Sequence, residues 1–249
     1  MTNEQLADKY WKITFDCPDI ARNAQPGHFI EVYFLDSVKL FPRPFSIADT
    51  GKREVVLIYK VIGTQTERMT TWQPGEEVEI LGPLGNTFAI DETYKTHILV
   101  GGGVGLAPMV FMSKVLNKRA LNFVFFSGGR DSSEYFPTLQ EPDRMFISTD
   151  DGSQGFHGNV VQNLEKELGN FDRPAVIYAC GPEKMCEALK NFGDKHDLEV
   201  QLSMETIMAC GMGLCQGCAI KTYDENGNDK ISLVCKDGPV FKGKEINFG

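Results

Sequence analysis

Four cysteines near the end of the chain constrain its fold more than any other feature. They run Cys210-Gly-Met-Gly-Leu-Cys215-Gln-Gly-Cys218, and Cys235 follows after sixteen further residues. The spacing C-x4-C-x2-C…C is the ligand pattern of a plant-type 2Fe–2S centre. Such a segment has to bend until its sulfurs converge. Glycines at 211, 213 and 217 let backbone N–H groups approach those sulfurs, and such hydrogen bonds help to set a cluster's potential. Zinc sites more often show two C-x2–4-C pairs. A tight trio with one distant fourth ligand suits a cluster better, but zinc and simple reduced thiols stay open. The total of seven cysteines is odd and crowded toward one end, which argues against a disulfide framework. Cys17 and Cys186 read as small buried hydrophobes.

Three further segments carry chemistry. The first is His97-Ile-Leu-Val-Gly101-Gly102-Gly103-Val-Gly105-Leu-Ala-Pro108, a buried strand, a glycine turn and a helix start. Exposed N–H groups at a helix N-terminus suit a pyrophosphate, and Pro108 suits the first helical turn. Gly102, Gly103 and Gly105 are the candidates for close approach, although a packing turn without ligand explains them too. The run is not G-x-G-x-x-G with an acidic residue about 20 positions on, which disfavours a standard Rossmann dehydrogenase. The second segment, Cys180-Gly181-Pro182, repeats the strand-turn-helix arrangement. It belongs at the carboxyl edge of a sheet, where ligands bind in open α/β folds, and puts Cys180 at the mouth of a nicotinamide pocket unless the cysteine merely packs. In the third, Phe41-Pro42-Arg43-Pro44-Phe45-Ser46, the prolines fix an extended chain that aims Arg43 at a diphosphate and Ser46 at the polar edge of a ring system. Two loops after strands, Ser127-Gly-Gly-Arg130 and Asp150-Asp151-Gly152-Ser153, can meet an adenosine ribose or be solvated turns. Arg130 leaves a 2′-phosphate, and so NADP, open.

The chain's hydrophobic pattern changes twice. Up to about residue 92, short β-branched or aromatic runs (Phe29 to Phe34, Val55 to Ile62, Glu77 to Leu81) stand between Pro and Gly turn signals, with one short helix around Thr64 to Trp72. That is the signature of a small antiparallel barrel or sandwich. From residue 93 to 202 strands alternate with helices, which implies βαβ units and a doubly wound parallel sheet. Helices are expected over Ala107 to Lys118, Asn159 to Leu168 and Pro182 to Lys195. Residues 203–249 form a Cys- and Gly-rich zone expected to fold around its metal centre. The fold class is therefore β plus α/β with a cluster-binding end. Lys and Arg number 25 against 34 Asp and Glu, a net charge of −9. An acidic chain lacks the footprint for nucleic acid or an anionic membrane. No run reaches the ~18–20 apolar residues of a membrane span, and the acidic start is not a secretory signal, so a cytoplasmic setting is expected.

The order of these motifs resembles the ferredoxin–NADP reductase superfamily. The stretches Glu205-Thr-Ile-Met-Ala-Cys210 through Cys218, and Val234-Cys235-Lys-Asp-Gly-Pro-Val-Phe241, look like the electron-transfer subunits of B-type dihydroorotate dehydrogenases. Related small subunits of NAD(P)H–ferredoxin, sulfide and hydrogenase-linked oxidoreductases share the architecture and compete as an alternative. The resemblance implies FAD held by Arg43, Pro44, Phe45, Ser46, Ile58, Tyr59 and Lys60. It adds Gln65 and Thr66, although relatives carry a Gly-Thr pair there. It implies a 2Fe–2S cluster on Cys210, Cys215, Cys218 and Cys235, and NAD as co-substrate at Gly102, Gly103, Gly105, Cys180, Gly181 and Pro182. The implied partner is an FMN-containing dihydroorotate dehydrogenase subunit, in a heterotetramer of two of each. It sends single electrons through the cluster to FAD, which passes hydride to NAD+ in pyrimidine biosynthesis. No side-chain acid or base is required. The partner's flavin must come near the Cys210–Cys218 loop, so that surface should be apolar. In relatives Gly82-Pro-Leu-Gly85-Asn86 lies near the cofactors, where a domain-crossing turn is an equal reading. A flavin-stacking aromatic at the chain end is not transferred to Phe248.

Overall fold

The computed structural model describes residues 1–34, 41–135 and 145–249. The first six strands are β1 (Thr2–Ala7), β2 (Tyr10–Asp16), β3 (Phe29–Val32), β4 (Arg43–Thr50), β5 (Glu54–Lys60) and β6 (Ile80–Leu84). They form one antiparallel sheet in the order β1-β2-β5-β4-β3-β6. The expected barrel is thus an open one, for β1 and β6 stay unpaired with each other among the described residues. Helix α1 (Pro18–Asn23) packs against both β5 and β6, and α2 (Thr64–Met69) follows β5. On β5 the side chains Val55, Leu57 and Tyr59 enter the core between the strands, while Ile58 packs with Leu99, Leu106 and Ala107 beyond it. That double burial is why the run from Val55 reads as continuously apolar rather than alternating.

The second sheet holds β7 (Thr96–Gly102), β8 (Phe123–Gly129), β9 (Met145–Thr149), β10 (Phe156–His157), β11 (Ala175–Cys180) and β12 (Glu199–Ser203). Beyond the hairpin β13 (Ala219–Tyr223) and β14 (Asp229–Leu233), strand β15 (Val240–Lys242) joins it as well. The order is β10-β9-β8-β7-β11-β12-β15, parallel except for β15 against β12. Helix α3 (Leu106–Lys118) covers one face with Leu106, Met109, Met112 and Leu116. Helices α4 (Val160–Glu167) and α5 (Glu183–His196) cover the other with Val160, Leu164, Leu189 and Phe192. Asn159 caps α4 in a reciprocal box with Gln162, which fixes its start one residue beyond the expected boundary.

Two features position the sites. First, the chain leaves β7 toward β8 on one side and returns to β11 on the other, so the sheet changes direction between β7 and β11. Open α/β sheets bind ligands at such a switch point, and Gly101 lies directly beside Cys180 there. Second, α3 also reaches the first sheet: Phe111 enters its core and Lys114 Nζ meets Asp49 Oδ1 at 2.5 Å. Of the expected turn at Gly82 to Asn86, the part up to Leu84 is strand β6. The residues just past it bolt the chain end down, since Asn86 Nδ2 donates to Val240 O at 2.8 Å and Asn86 Oδ1 accepts from Val240 N at 2.9 Å. A short helix α6 (Val234–Asp237) carries Cys235.

A candidate cofactor cavity beside a cysteine loop

Between the two sheets lies a cavity of about 440 Å³. Arg43, Pro44, Phe45 and Ser46 reach it from β4, and Ile58, Tyr59 and Lys60 from β5. Gln65 and Thr66 close it from α2. All nine positions marked for the flavin therefore face one space. The local fold explains this. Strands β4 and β5 are neighbours, and Thr66 Oγ1 accepts from Gly63 N at 3.2 Å, which folds the helix start back onto the end of β5. The Gly63-Thr64 pair, just ahead of Gln65, also lines the cavity.

The far wall comes from the second sheet. Val104 and Ala107 line it from the turn after β7, and Ser203, Glu205 and Thr206 from the end of β12. Of these, only the glycine turn is legible in the sequence. Glu205 opens the stretch to Cys210 that carries the resemblance, but its place on the cavity wall follows from β12 pairing beside β11. Cys180, expected at the mouth of a pocket, is instead fully buried, with its sulfur 3.7 Å from Glu205 Oε1. Chain following β12 folds over it, so Glu205 and not Cys180 faces the cavity. Burial first, and Glu205 second, push the Cys180 thiol well up, which keeps it protonated. Surrounding protein likewise raises the Glu205 carboxyl.

The glycine turns pack against each other. A Cβ at Gly105 would fall 2.2 Å from Cys180 O and 2.7 Å from Gly181 N. Gly103 differs: it takes φ +55° and its nearest neighbour would be Tyr10 Oη at 3.7 Å. Gly103 therefore supplies the open, left-handed corner of the loop, and Gly102, Gly105, Gly181 and Pro182 hold the two loops together.

The cysteine loop lies against β3 of the first sheet. Each of the four sulfurs accepts at least one backbone N–H: Cys235 from Gly213 at 3.1 Å, Cys210 from Cys215 at 3.4 Å, Cys215 from Gly217 at 3.4 Å and Cys218 from Cys235 at 3.5 Å. The N–H bonds from Cys215 and Met212 hold the Cys210 thiol down at about 6, so one ligand is close to its metal-binding thiolate form. Burial and the neighbouring Cys218, 3.2 Å away sulfur to sulfur, push Cys235 up to about 12. Among the described residues no three donors close around a single ion. Four thiol sulfurs that accept backbone N–H groups are a donor set that a two-iron centre can use, two thiolates to each iron. Cys215 is exposed while Cys218 and Cys235 are buried, and exposed Ile207, Met212 and Leu214 stand around the loop.

Glu31 gives no sign of this role in the sequence beyond being one acid in an apolar run. It is fully buried on β3, neither carboxylate oxygen has a hydrogen-bond partner among the described residues, and a Cβ at Gly211 would fall 2.6 Å from its Cγ. Burial, with the nearby Cys210, pushes its carboxyl up to about 7. The folded state then holds a proton that the unfolded chain releases above about 4.5. This group's contribution to stability is present in acid and is lost as pH rises through about 7. Glu31→Gln is therefore expected to stabilise the iron-free protein at pH 8 by up to about 3 kcal/mol, at 1.36 kcal/mol per pKa unit. The gain should vanish near pH 4 in urea melts. An equal gain at both pH values would remove the buried charge as its cause.

Comparison with known proteins places these features in a family. Residues 205–247 match the model of the iron–sulfur cluster binding domain of dihydroorotate dehydrogenase B. The electron transfer subunit of dihydroorotate dehydrogenase B (NAD(+)) from Enterococcus faecalis is 33% identical over 99% of this chain and 95% of its own. That of Caldanaerobacter subterraneus is 33% identical over 100% and 96%, and that of Lysinibacillus sphaericus 36% over 97% and 94%. Among solved structures, an NADH-dependent reduced ferredoxin-NADP oxidoreductase studied for flavin-based electron bifurcation superposes with a TM-score of 0.85 at 24% identity, over 99% of this chain and 88% of that one. The ferredoxin reductase of carbazole 1,9a-dioxygenase gives 0.66 at 18% identity, over 79% and 64%.

Proposed function

Since the chain belongs to the family of dihydroorotate dehydrogenase B electron-transfer subunits, we propose that it carries electrons from a dihydroorotate-oxidising subunit to NAD+ by way of FAD and a 2Fe–2S cluster. The flavin, when bound, exchanges hydride with a nicotinamide and single electrons with the cluster, and so converts between the two kinds of traffic. The protein's own task is placement. Arg43 and Lys60 offer positive charge to a diphosphate at one end of the cavity, and Ser46 and Thr66 offer hydroxyls. Phe45 and Tyr59 meet edge to face, with ring centroids 6.2 Å apart, and give the cavity an apolar wall. The turn after β7 brings a nicotinamide to the far wall, where Glu205 and the buried Cys180 shape the approach. Cys210, Cys215, Cys218 and Cys235 hold the cluster.

The observation that carries this reading is the convergence on one cavity of nine residues drawn from three separate segments, with the cysteine loop following the cavity-lining Glu205, Thr206 and Met208. We divide the chain accordingly into an FAD-binding part (1–92), an NAD-binding part (93–202) and a cluster-binding part (203–249). The partner is an FMN-containing catalytic subunit that docks over Ile207, Met212 and Leu214, an exposed apolar patch of the kind that marks interfaces. Two copies of each chain form the assembly, and it works in the cytoplasm. No helix among the described residues is long and apolar enough to cross a membrane.

The test is anaerobic purification with the co-expressed partner. Flavin bands and a broad iron–sulfur absorbance, both bleached by NADH, are expected, together with iron and acid-labile sulfide. A colourless protein, or one holding zinc alone, would sink the reading.

A further inference from the structure

The reading above places the nicotinamide half of the dinucleotide at the cavity wall built by the ends of β7, β11 and β12. Its pyrophosphate then lies on the turn after β7, and its adenosine half must run the other way, over the ends of β8 and β9. There the loops after the two strands are tied together: Ser132 N donates to Ser153 Oγ at 2.8 Å, and Asp151 N to Arg130 O at 3.1 Å. Arg130 is the one cation on the described part of these loops. In nucleotide-binding α/β sheets an arginine at such a place accommodates a 2′-phosphate, and an acid there takes the 2′-hydroxyl.

Arg130 is already engaged. Its Nη2 and Nε donate to Glu134 Oε1 at 2.7 and 3.2 Å, and its backbone N–H donates to Glu134 Oε2 at 3.1 Å. Lys60 Nζ, from the first sheet, binds the same Oε1 at 2.7 Å. Burial works to raise the Glu134 carboxyl, but its bonds to Arg130 and Lys60 hold it at about 2, so it stays anionic. Asp131, Asp150 and Asp151 stand on the same two loops, with Asp131 Oδ1 and Asp151 Oδ1 turned inward to the backbone N–H groups of Ser133 and Ser153. A 2′-phosphate arriving here meets carboxylates and an arginine whose Nε and Nη2 are already turned to Glu134.

We propose that Glu134 makes this chain select NAD over NADP, by occupying Arg130 and placing a fixed negative charge where a 2′-phosphate would sit. The inference rests on the NAD-linked reading and names the residue that sets its specificity. Removing the charge while keeping the shape frees the guanidinium, and one charge-assisted hydrogen bond gained is worth a factor of about ten or more.

The experiment uses the flavin-loaded assembly, with wild type, Glu134→Gln, Arg130→Ala and the double variant. Calorimetry compares adenosine 2′,5′-bisphosphate with 5′-AMP, which differ only in the 2′-phosphate, and rapid mixing compares flavin reduction by NADPH and NADH. Glu134→Gln should tighten the bisphosphate relative to 5′-AMP at least about tenfold and raise the NADPH-to-NADH rate ratio by a similar factor. Arg130→Ala alone should leave both ratios at the wild-type value, and in the double variant the gain should disappear. No gain in Glu134→Gln, a gain that survives loss of Arg130, or a loss of NADPH use in Arg130→Ala each overturns the proposal. A wild-type protein that NADH does not reduce sinks the functional reading itself, whereas normal NADH reduction with unchanged ratios sinks this inference alone.

Discussion

Cys215→Ala is expected to yield a folded, flavin-loaded chain that NADH still reduces but that hands nothing to or from the dihydroorotate-oxidising subunit. The choice among the four ligands matters. Cys218 and Cys235 are buried and pack in the main core with Phe29 and Val234, so truncating either one also opens a cavity in that core. Cys215 is exposed and contributes only its sulfur, which accepts the Gly217 N–H. Its loss leaves three thiolates for two irons. Changing even an outer partner of a metal ligand costs about 10–100-fold in affinity or activity, so removing a ligand should cut dihydroorotate-to-NAD+ turnover by more than about a hundredfold. The flavin cavity draws on residues 43–66 and on the ends of β7 and β12, and none of those contacts passes through Cys215. Iron and acid-labile sulfide should fall in the variant while NADH bleaching of the flavin persists. Undiminished turnover with dihydroorotate and NAD+ would show that this loop is not the path.

The parts of the molecule that could be read in advance are those whose chemistry is local. Glycine and proline punctuation, cysteine spacing and the strand–helix alternation each act within a few residues, and they located β3, β5, β7, β11 and the helices α3, α4 and α5 to within a few positions. Elements that owe their state to distant pairing were not legible. The strand Thr2–Ala7 is polar and mostly open to solvent; only its ladder with Tyr10–Asp16 makes it a strand. The run from Glu77 to Leu81 lies partly ahead of the observed Ile80–Leu84. Its Gly82-Pro83 reads as a terminator but is tolerated because this strand is an edge, with an irregular register against Phe29 and Glu31. Val240–Lys242 has the cysteine zone on its N-terminal side and nothing periodic about it, yet it completes the second sheet against Gln201–Ser203. The same limit applies to the site. Arg43 to Ser46 announce themselves by rigid backbone, whereas Glu205, Glu31 and Glu134 are ordinary acids whose roles come from what the fold sets beside them.

Gly105→Ala should be among the most damaging single-methyl changes in the nucleotide-binding part. Gly105 has φ −63° and ψ −7°, a conformation any residue adopts, so backbone strain is not the issue. Space is. The added carbon would lie 2.2 Å from Cys180 O and 2.5 Å from Cys180 C, and both atoms belong to backbone in the middle of the sheet, paired to β7 on one side and β12 on the other. They cannot swing away as a side-chain tip would, so the turn after β7 has to lift by about 1 Å to restore an ordinary contact. Overpacking of this kind costs about 1–3 kcal/mol, occasionally more, which for a chain of this size lowers Tm by roughly 2–12 °C. The functional cost should be larger. The lifted turn carries Val104 and Ala107, which line the cavity, and it holds the corner proposed for the dinucleotide. A misplacement of about 1 Å can cost about a hundredfold in rate. Flavin reduction by NADH should therefore slow by about that factor while flavin content stays near wild type, because none of the nine flavin-facing residues lies on the turn. Gly103→Ala is the control. It has room, with only Tyr10 Oη at 3.7 Å, but sits at φ +55°, and it should cost about 1 kcal/mol of stability without displacing the loop. If the two variants slow the reaction equally, the close approach of Gly105 to Cys180 is not what fixes the nucleotide turn.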